Sequence, residues 1–242
     1  MDEIQTYKIG EHQIELQFRD GIAPVSPYSL LLAENIPNLE GQTVLDLGTG
    51  SGFLAIVAKL RGAERVYLVD SFDKAVALAL ENAKRNGIEH GVDVLQTGEV
   101  MLPSLEPGSV DVVLSNPAQL PLPEPDRANS PFYAGPDGRA MIDALIKETP
   151  EKLSPSGRLL MTHNSMANLP KSVRLLESVG LQPKIIAERT LAFRPFRNRD
   201  WLDALGGVSE GLYFVRVGVA HERVCVLEAR KIGPPWKLTR QG

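Results

Sequence analysis

The chain is organised around Val44-Leu45-Asp46-Leu47-Gly48-Thr49-Gly50-Ser51-Gly52-Phe53-Leu54. We predict a buried parallel strand over residues 43–47, because the apolar run is short, contains β-branched residues and is followed at once by turn residues. Residues 53–58 are apolar and predict a helix. The alternating glycines between them let a ligand approach the backbone without meeting a Cβ atom. Because ligands of open α/β sheets bind at the carboxyl ends of strands, this turn is the predicted binding edge.

The glycine spacing narrows the class of ligand. The dinucleotide fingerprint G-x-G-x-x-G needs a third glycine where this chain has Phe53 or, counted from the next glycine, Ala55, which only the looser form allows. The phosphate-binding loop G-x-x-x-x-G-K-[ST] is absent. The carboxylate of Asp46 favours a ligand with a cationic end over a pyrophosphate. Asp70 ends the next apolar run, close to the ~20-residue offset at which an acid reaches a ribose diol.

Composition indicates one ordinary soluble domain with a sizeable core. The 242 residues are 43% hydrophobic and 23% charged, with a net charge of −4. The mildly acidic balance argues against general nucleic-acid binding, and no apolar stretch approaches membrane-spanning length. The N-terminus lacks the pattern of a signal peptide, so we expect a cytoplasmic protein without membrane association. The single Cys225 excludes an internal disulfide, and no His/Cys/Asp spacing predicts a metal site.

Hydrophobic patterning divides the chain into an N-terminal segment and an α/β domain. Residues 1–40 are expected to form a small hairpin and a lid helix that folds over the binding edge. Residues 41–242 contain seven strand candidates, mostly separated by helices. The last of these, 212–219 and 223–230, predict an antiparallel hairpin joined through residues 220–222.

The pattern D-x-G-x-G-x-G that starts at Asp46, together with Asp70, resembles motif I and its acidic partner in class I S-adenosylmethionine-dependent methyltransferases. The resemblance implies S-adenosylmethionine as the cofactor. By their positions, Phe72 could pack on an adenine face, and Glu99 could either accept a hydrogen bond from the adenine amino group or be a solvated loop residue. It also implies an α/β, Rossmann-like, mostly parallel sheet of seven strands in the order 3-2-1-4-5-7-6, with only strand seven antiparallel. The candidate cofactor-binding residues are Asp46, Gly48, Thr49, Gly50, Gly52, Asp70, Ser71, Phe72, Gly98, Glu99 and Asn116.

A second motif, Ser115-Asn116-Pro117, follows the fourth strand of the predicted sheet. Proline disfavours the helical conformation of the residue before it, so the side chain of Asn116 is expected to point in a fixed direction. A neutral amide suits methyl transfer to nitrogen, because its carbonyl oxygen accepts an N–H of the nucleophile and orients the lone pair. We therefore expect Asn116 to align the acceptor without acting as a strong base.

The same motif, within residues 111–117, resembles the approach to the N-P-P-Y motif of amino-methyltransferases, above all the HemK-like protein-glutamine N5-methyltransferases. Residues 134–139 are similar to the segment that follows the lid in that family. This chain departs from the motif at Ala118, in place of the second proline, and at Gln119, in place of the aromatic residue. Gln119 cannot stack on a flat amide or base, but it can donate and accept hydrogen bonds. The candidate catalytic residues are Asn116, Pro117 and Gln119, and the candidate substrate-binding residues are Tyr28, Ser29, Tyr133 and His163.

Several functions are compatible with these residues. The leading hypothesis is methyl transfer from S-adenosylmethionine to a nitrogen of a small molecule or peptide. Because Gln119 replaces the aromatic residue, a second hypothesis has the amine of the cofactor attack its own γ-carbon, giving azetidine-2-carboxylate and methylthioadenosine. A third is a non-catalytic cofactor-binding subunit. A dinucleotide oxidoreductase comes last, because only the loose fingerprint fits.

Overall fold

The computed structural model describes residues 4–95, 102–121, 134–192, 214–216 and 219–232. Within these ranges two strands, β1 and β2, form a separate hairpin, and the other strands form one sheet. The strands are β1 Ile4–Ile9, β2 His12–Gln17, β3 Thr43–Leu47, β4 Arg65–Val69, β5 Val92–Val94, β6 Val110–Ser115, β7 Leu153–Asn164, β8 Leu181–Ala192, β9 Phe214–Arg216 and β10 Val219–Lys231.

The helices cover both faces of the sheet. They are α1 Pro27–Glu34, α2 Phe53–Leu60, α3 Asp73–Arg85, α4 Ala140–Lys152 and α5 Leu169–Ser178, with a short 3-10 helix at Ser165–Ala167. None of the helices in the described ranges is long and apolar enough to cross a membrane.

The sheet has the strand order β5-β4-β3-β6-β7-β10-β8, with β9 paired to β10. The pairs β4–β5, β3–β4, β3–β6 and β6–β7 are all parallel. Strand β10 is antiparallel to both of its long neighbours, β7 and β8. The predicted Rossmann-like fold, with a mostly parallel sheet and an antiparallel C-terminal strand, is confirmed. Its consequence for function is that the carboxyl ends of β3, β4, β6 and β7 share one edge.

The C-terminal hairpin is present, but the predicted position of its connection is wrong. Strands β9 and β10 meet with Arg216 opposite Val219, whereas the sequence placed the connection at residues 220–222. His221 and Glu222 instead lie inside β10, opposite the end of β8. Strand β10 is this long because it pairs along both sides with long strands, and those ladders outweigh local turn preference.

Both faces of the sheet are buried, which accounts for the continuous apolar runs of its central strands. On one face Val44 and Leu114 share a core cluster with residues of α1, α2 and α3. On the other face Leu45 and Cys225 share a cluster with residues of α4 and α5. Cys225 is 3% exposed, and burial raises the pKa of its thiol to about 12.

The N-terminal segment belongs to the same core as the sheet. Ile14 and Leu16 of the hairpin are fully buried in the cluster that contains Val44 and Phe53. The ring of Tyr7 lies 5.5 Å from the ring of Phe53, measured between centroids. The described part of the predicted 1–40 segment is therefore packed against the strand and helix that flank the glycine turn.

Candidate functional site

The glycine turn is anchored to the end of the neighbouring strand. The backbone N–H groups of Gly48 and Thr49 donate to the carbonyl oxygen of Val69, at 2.8 and 3.0 Å. Leu47 lies opposite Val69 in the parallel ladder of β3 and β4. Gly48 and Asp70 are therefore the next residues on two adjacent strands, which brings the glycine turn and the second acid together.

Two glycines of the turn have opposite surroundings. A Cβ atom added to Gly48, at a φ of 75°, would meet nothing within 4 Å, so this side of the turn is open. A Cβ atom added to Gly52, at a φ of 81°, would lie 2.9 Å from the Cα atom of Ala79 on α3. The first glycine leaves room for a ligand, and the third allows the turn to pack against α3.

Asp46 lies beneath the turn, fully buried. Its Oδ2 accepts hydrogen bonds from Thr49 Oγ1 at 2.7 Å and from the backbone N–H of Ala55 at 3.2 Å. Its Oδ1 is buried and accepts no hydrogen bond within the described structure. Burial raises the pKa of the carboxyl to about 7, although both hydrogen bonds oppose the shift. Burial therefore favours the neutral acid, and Asp46 supports the glycine turn from beneath; its side chain is not exposed to a ligand.

Asp70 organises the second side of the turn. Its Oδ2 accepts from the backbone N–H of Gly50 at 2.9 Å, and its Oδ1 accepts from the N–H of Phe72 at 3.1 Å. Each carboxylate oxygen keeps a further lone pair for a ligand hydroxyl. Ser71 is exposed, and Phe72 is 47% exposed, so its ring is accessible to a ligand. Gly98, Glu99 and Tyr133, which the sequence also indicated, lie outside the described residues.

Asn116 follows β6 at the same edge. Ser115 pairs with Leu47, and Ser115 Oγ donates to the carbonyl oxygen of Leu47 at 2.9 Å. Gly48 and Asn116 are therefore the next residues on adjacent parallel strands. The structure thus brings the predicted cofactor turn and the predicted catalytic amide together.

The side chain of Asn116 is held at both ends. Its Nδ2 donates to Ser29 Oγ at 2.9 Å and to Ser26 Oγ at 3.3 Å. Its Oδ1 accepts from Thr162 Oγ1 at 2.6 Å. Helix α1 supplies both serines, with Ser26 as its N-cap, and β7 supplies the threonine. Pro117 is buried next to the amide. The orientation of the amide is therefore fixed by hydrogen bonds from α1 and β7.

Gln119 lies behind Asn116, and the structure does not support the direct catalytic role predicted for it. Its side chain is 4% exposed. Its Nε2 donates to Thr162 Oγ1 at 2.9 Å, and its Oε1 accepts from the backbone N–H of Asn164 at 2.6 Å. Both polar ends are used inside the protein, so Gln119 connects the β6 corner to the end of β7.

Of the candidate substrate residues, Tyr28 and Ser29 lie on α1 at this edge. Ser29 contacts Asn116 directly, as described above. The hydroxyl of Tyr28 donates to the carboxylate of Glu222, which is 2% exposed and lies at the start of β10. Helix α1 therefore joins the β6 corner to β10.

His163 does not face this edge, which corrects its prediction as a substrate-binding residue. The ring is fully buried, with Nε2 2.8 Å from Ser172 Oγ on α5 and Nδ1 2.7 Å from the carbonyl oxygen of Asn164. Burial lowers the pKa of His163 to about 4. Arg139, itself 2% exposed, donates to the same serine at 3.0 Å. His163 is thus a neutral structural residue between β7 and α5.

Sequence reasoning missed Thr162 and the N-cap Ser26 as neighbours of the Asn116 amide. The available signal was their position, because Thr162 adjoins the predicted site residue His163 and Ser26 caps the helix that carries Tyr28 and Ser29. It also missed Asn82 of α3, which contacts the glycine turn at Ser51 and leaves no local pattern in the sequence.

Comparisons with known proteins agree with this geometry. The sequence profile of a family described as "Methyltransferase small domain" matches residues 24–189, more than half of the chain. A protein of Methanocaldococcus jannaschii named "Putative protein N5-glutamine methyltransferase" is 29% identical over 184 residues, covering 74% of this chain and 91% of the relative. Ribosomal protein L11 methyltransferase of Alteromonas mediterranea is 35% identical over 138 residues, covering 57% of this chain. This chain spans 45% of the length of that second relative.

One chain of the E. cuniculi Mtq2–Trm112 complex, which is responsible for the methylation of the eRF1 translation termination factor, has a similar structure. The superposition covers 88% of this chain and 99% of that chain, with a TM-score of 0.56 and 22% sequence identity. This likeness establishes a shared fold.

Proposed function

Because the chain belongs to the Methyltransferase small domain family, whose cofactor is S-adenosylmethionine, we propose that it transfers a methyl group to a nitrogen atom of a small molecule or peptide. The observation that carries the proposal is the fixed amide of Asn116 beside the glycine turn. Nδ2 is held by two serines and Oδ1 by one threonine, so the second lone pair of Oδ1 has a defined direction.

The residues of the turn fit the cofactor by two observations. The side of Gly48 is open, so an adenosyl group can approach the backbone there. The buried Oδ1 of Asp46 has no hydrogen-bond partner in the described structure, so it can still accept a hydrogen bond from a donor at the turn. We propose that Asp70 accepts the ribose hydroxyls and that Phe72 packs on the adenine. Thr49, Ser71, Gly98 and Glu99 complete the proposed cofactor set.

S-adenosylmethionine supplies a methyl group already activated on a sulfonium, with a neutral thioether as the leaving group. The protein therefore has to align the acceptor more than to activate it. Asn116 Oδ1 accepts an N–H of the acceptor and orients its lone pair, while Ser26, Ser29 and Thr162 prevent the amide from rotating. Pro117 restricts the backbone on which the amide is mounted.

The site has no aromatic side chain at position 119 on which a flat acceptor could stack. Gln119 stands where an aromatic side chain is expected, and it is buried behind the amide. Recognition of a flat base by stacking at this position is therefore not part of the proposal. The printed name of the M. jannaschii relative supports an amide or amine nitrogen of a peptide as the first acceptor to test.

The experiment incubates the protein with S-adenosylmethionine and a panel of amine, lysine-peptide and glutamine-peptide acceptors, and identifies the nucleoside product by mass spectrometry. We expect S-adenosylhomocysteine that forms only with an acceptor, together with a methylated nitrogen. Methylthioadenosine formed without an acceptor, or no turnover with any nitrogen acceptor, would contradict the proposal.

The matched variants are Asn116→Ala and Asn38→Ala. Asn38 is an exposed asparagine in the loop between α1 and β3. Loss of the aligning amide is expected to reduce turnover at least ~100-fold while the Kd for S-adenosylhomocysteine stays within ~10-fold. The control should keep full turnover. Full turnover in Asn116→Ala would remove Asn116 from the mechanism.

A further inference from the structure

Asn82 of α3 and Asn86, the C-cap residue of that helix, pair with the edge of the N-terminal hairpin that faces α3. Asn82 Oδ1 accepts from the backbone N–H of Gln17 at 2.8 Å, and Asn82 Nδ2 donates to the carbonyl oxygen of Gln17 at 3.1 Å. Asn86, one helical turn later, makes the same pair with Glu15, at 3.0 and 2.8 Å. The two side chains thus act as a partner strand for β2, and they dock the hairpin on α3.

The two asparagines differ in their remaining N–H. Asn82 Nδ2 also donates to the carbonyl oxygen of Ser51 in the glycine turn, at 2.9 Å. Asn86 Nδ2 donates instead to the carbonyl oxygen of Asn82, within its own helix, at 2.8 Å. The side-chain amide of Asn82 therefore connects the hairpin to the glycine turn. The side chain of Asn86 binds the hairpin but does not contact the glycine turn.

The contact between Asn82 and the turn is buried, and both N–H groups and the oxygen of the Asn82 amide have hydrogen-bond partners. Asn82 is 0% exposed and Ser51 is 5% exposed, so water does not replace a lost partner. The next residue, Gly52, packs so closely on α3 that an added Cβ atom would lie 2.9 Å from Ala79. The path of the backbone through residues 51 and 52 is therefore set by α3.

We propose that Asn82 is a positioning residue of the cofactor site, and that docking of the hairpin on α3 is energetically coupled to cofactor binding through it. The inference rests on the proposed function in one respect, namely that the glycine turn holds the cofactor. Asn82 acts through the Ser51 carbonyl, which fixes the turn whose open side faces the ligand. Because coupling is reciprocal, the bound cofactor also stabilises the docked hairpin.

The test compares Asn82→Ala with Asn86→Ala by calorimetric titration of S-adenosylhomocysteine, at a temperature where both variants are folded. Each variant loses two hydrogen bonds to the hairpin, but only Asn82→Ala loses the bond to the turn. We expect the Kd to rise ~10-fold in Asn82→Ala and less than ~2-fold in Asn86→Ala. The KM for S-adenosylmethionine should rise in the same proportion, with kcat nearly unchanged, which a loss of stability alone does not produce.

An unchanged Kd in Asn82→Ala, or an equal rise in both variants, would overturn the inference while leaving the proposed function intact. Absence of binding in the wild-type protein would instead overturn the proposed function. Hydrogen exchange of the wild-type chain covers the case in which Asn82→Ala fails to fold. Saturating S-adenosylhomocysteine is expected to slow amide exchange in residues 12–17, and unchanged exchange there would also overturn the coupling.

Discussion

Thr162 donates a hydrogen bond to Asn116 across 2.6 Å, and this bond joins the ends of two adjacent parallel strands. Gln119 donates to the same hydroxyl oxygen at 2.9 Å. The single proton of the hydroxyl is therefore directed to Asn116. A buried threonine at the end of β7 fixes the amide that we propose to align the acceptor.

The first prediction concerns this threonine. Thr162→Val keeps the shape of the side chain but removes the donor, so Asn116 Oδ1 loses its partner and the amide is held only by the two serines at Nδ2. We expect kcat to fall ~10-fold, with the Kd for S-adenosylhomocysteine within ~2-fold, because alignment is lost and the cofactor turn is untouched. Steady-state kinetics with saturating cofactor measure the effect.

The matched control is Thr149→Val in α4. Thr149 is also 0% exposed, and its hydroxyl has no hydrogen-bond partner among the described residues. Its replacement by an apolar side chain should leave kcat unchanged and should not lower stability. Equal kcat values for the two variants would show that Thr162 does not act on Asn116.

The second prediction uses the raised pKa of Asp46. In the folded protein without ligand the pKa is about 7, against 3.8 when unperturbed, because the carboxyl is buried. The folded state therefore holds its proton more tightly. The protonated carboxyl of Asp46 therefore contributes to the free energy of unfolding. This contribution is fully present below pH 3.8 and is lost as pH rises to about 7, by about 1.4 kcal/mol for each pH unit.

Chemical denaturation of the wild type and of Asp46→Asn between pH 4 and 8 measures this loss. The free energy of unfolding of the variant, relative to the wild type, should rise with pH over that range. Asp20→Asn, the same substitution at an exposed position, is measured alongside as the control. A parallel pH dependence of the wild type and Asp46→Asn would contradict the burial argument.

The third prediction separates His163 from catalysis. Because the pKa of the buried ring is lowered to about 4, the folded state stays neutral while the unfolded chain takes up a proton below pH 6.5. His163 therefore contributes stability above pH 6.5 that is lost as pH falls to about 4. Replacement by glutamine should remove this part of the acid sensitivity and leave kcat at neutral pH within ~2-fold.

Acid titration of stability and neutral-pH kinetics test His163→Gln together. The control is His12→Gln, at an exposed position of the hairpin. A large fall in kcat for His163→Gln without loss of stability would contradict this prediction and indicate that His163 takes part in the reaction.

Much of the fold followed from local sequence. β-branched apolar runs and the glycines at positions 48, 50 and 52 predicted the strands and the turn, because parallel strands are buried on both faces and tight turns need positive φ angles. The Asn-Pro pair was placed correctly at the same edge, since Leu47 and Ser115 are partners in the ladder.

The orientation of neighbouring residues on β7 could not be predicted. Thr162 and His163 both end the strand, and adjacent residues point to opposite faces. Thr162 pairs with Val226 in the first core cluster, whereas His163 pairs with Cys225 in the second. Which residue faces the site is therefore set by the register with β10, a pairing of distant segments that no local pattern carries. The same holds for the contact between Asn82 and Ser51.

The fourth prediction addresses the central claim, that the open side of the glycine turn holds S-adenosylmethionine. Gly48→Ala adds a methyl group on that side without meeting protein atoms. Gly41→Ala is a matched control, because Gly41 has a φ of 69° and similarly open surroundings but lies in the loop before β3. In both variants, alanine at a positive φ angle is expected to lower the free energy of unfolding by about 1 kcal/mol.

The most direct measurement is calorimetric titration of S-adenosylhomocysteine into the wild type and these two variants. We predict one saturable site in the wild type, a Kd within ~2-fold in Gly41→Ala and a Kd at least ~10-fold higher in Gly48→Ala. No binding to the wild type, or equal Kd values for the two variants, would contradict the account.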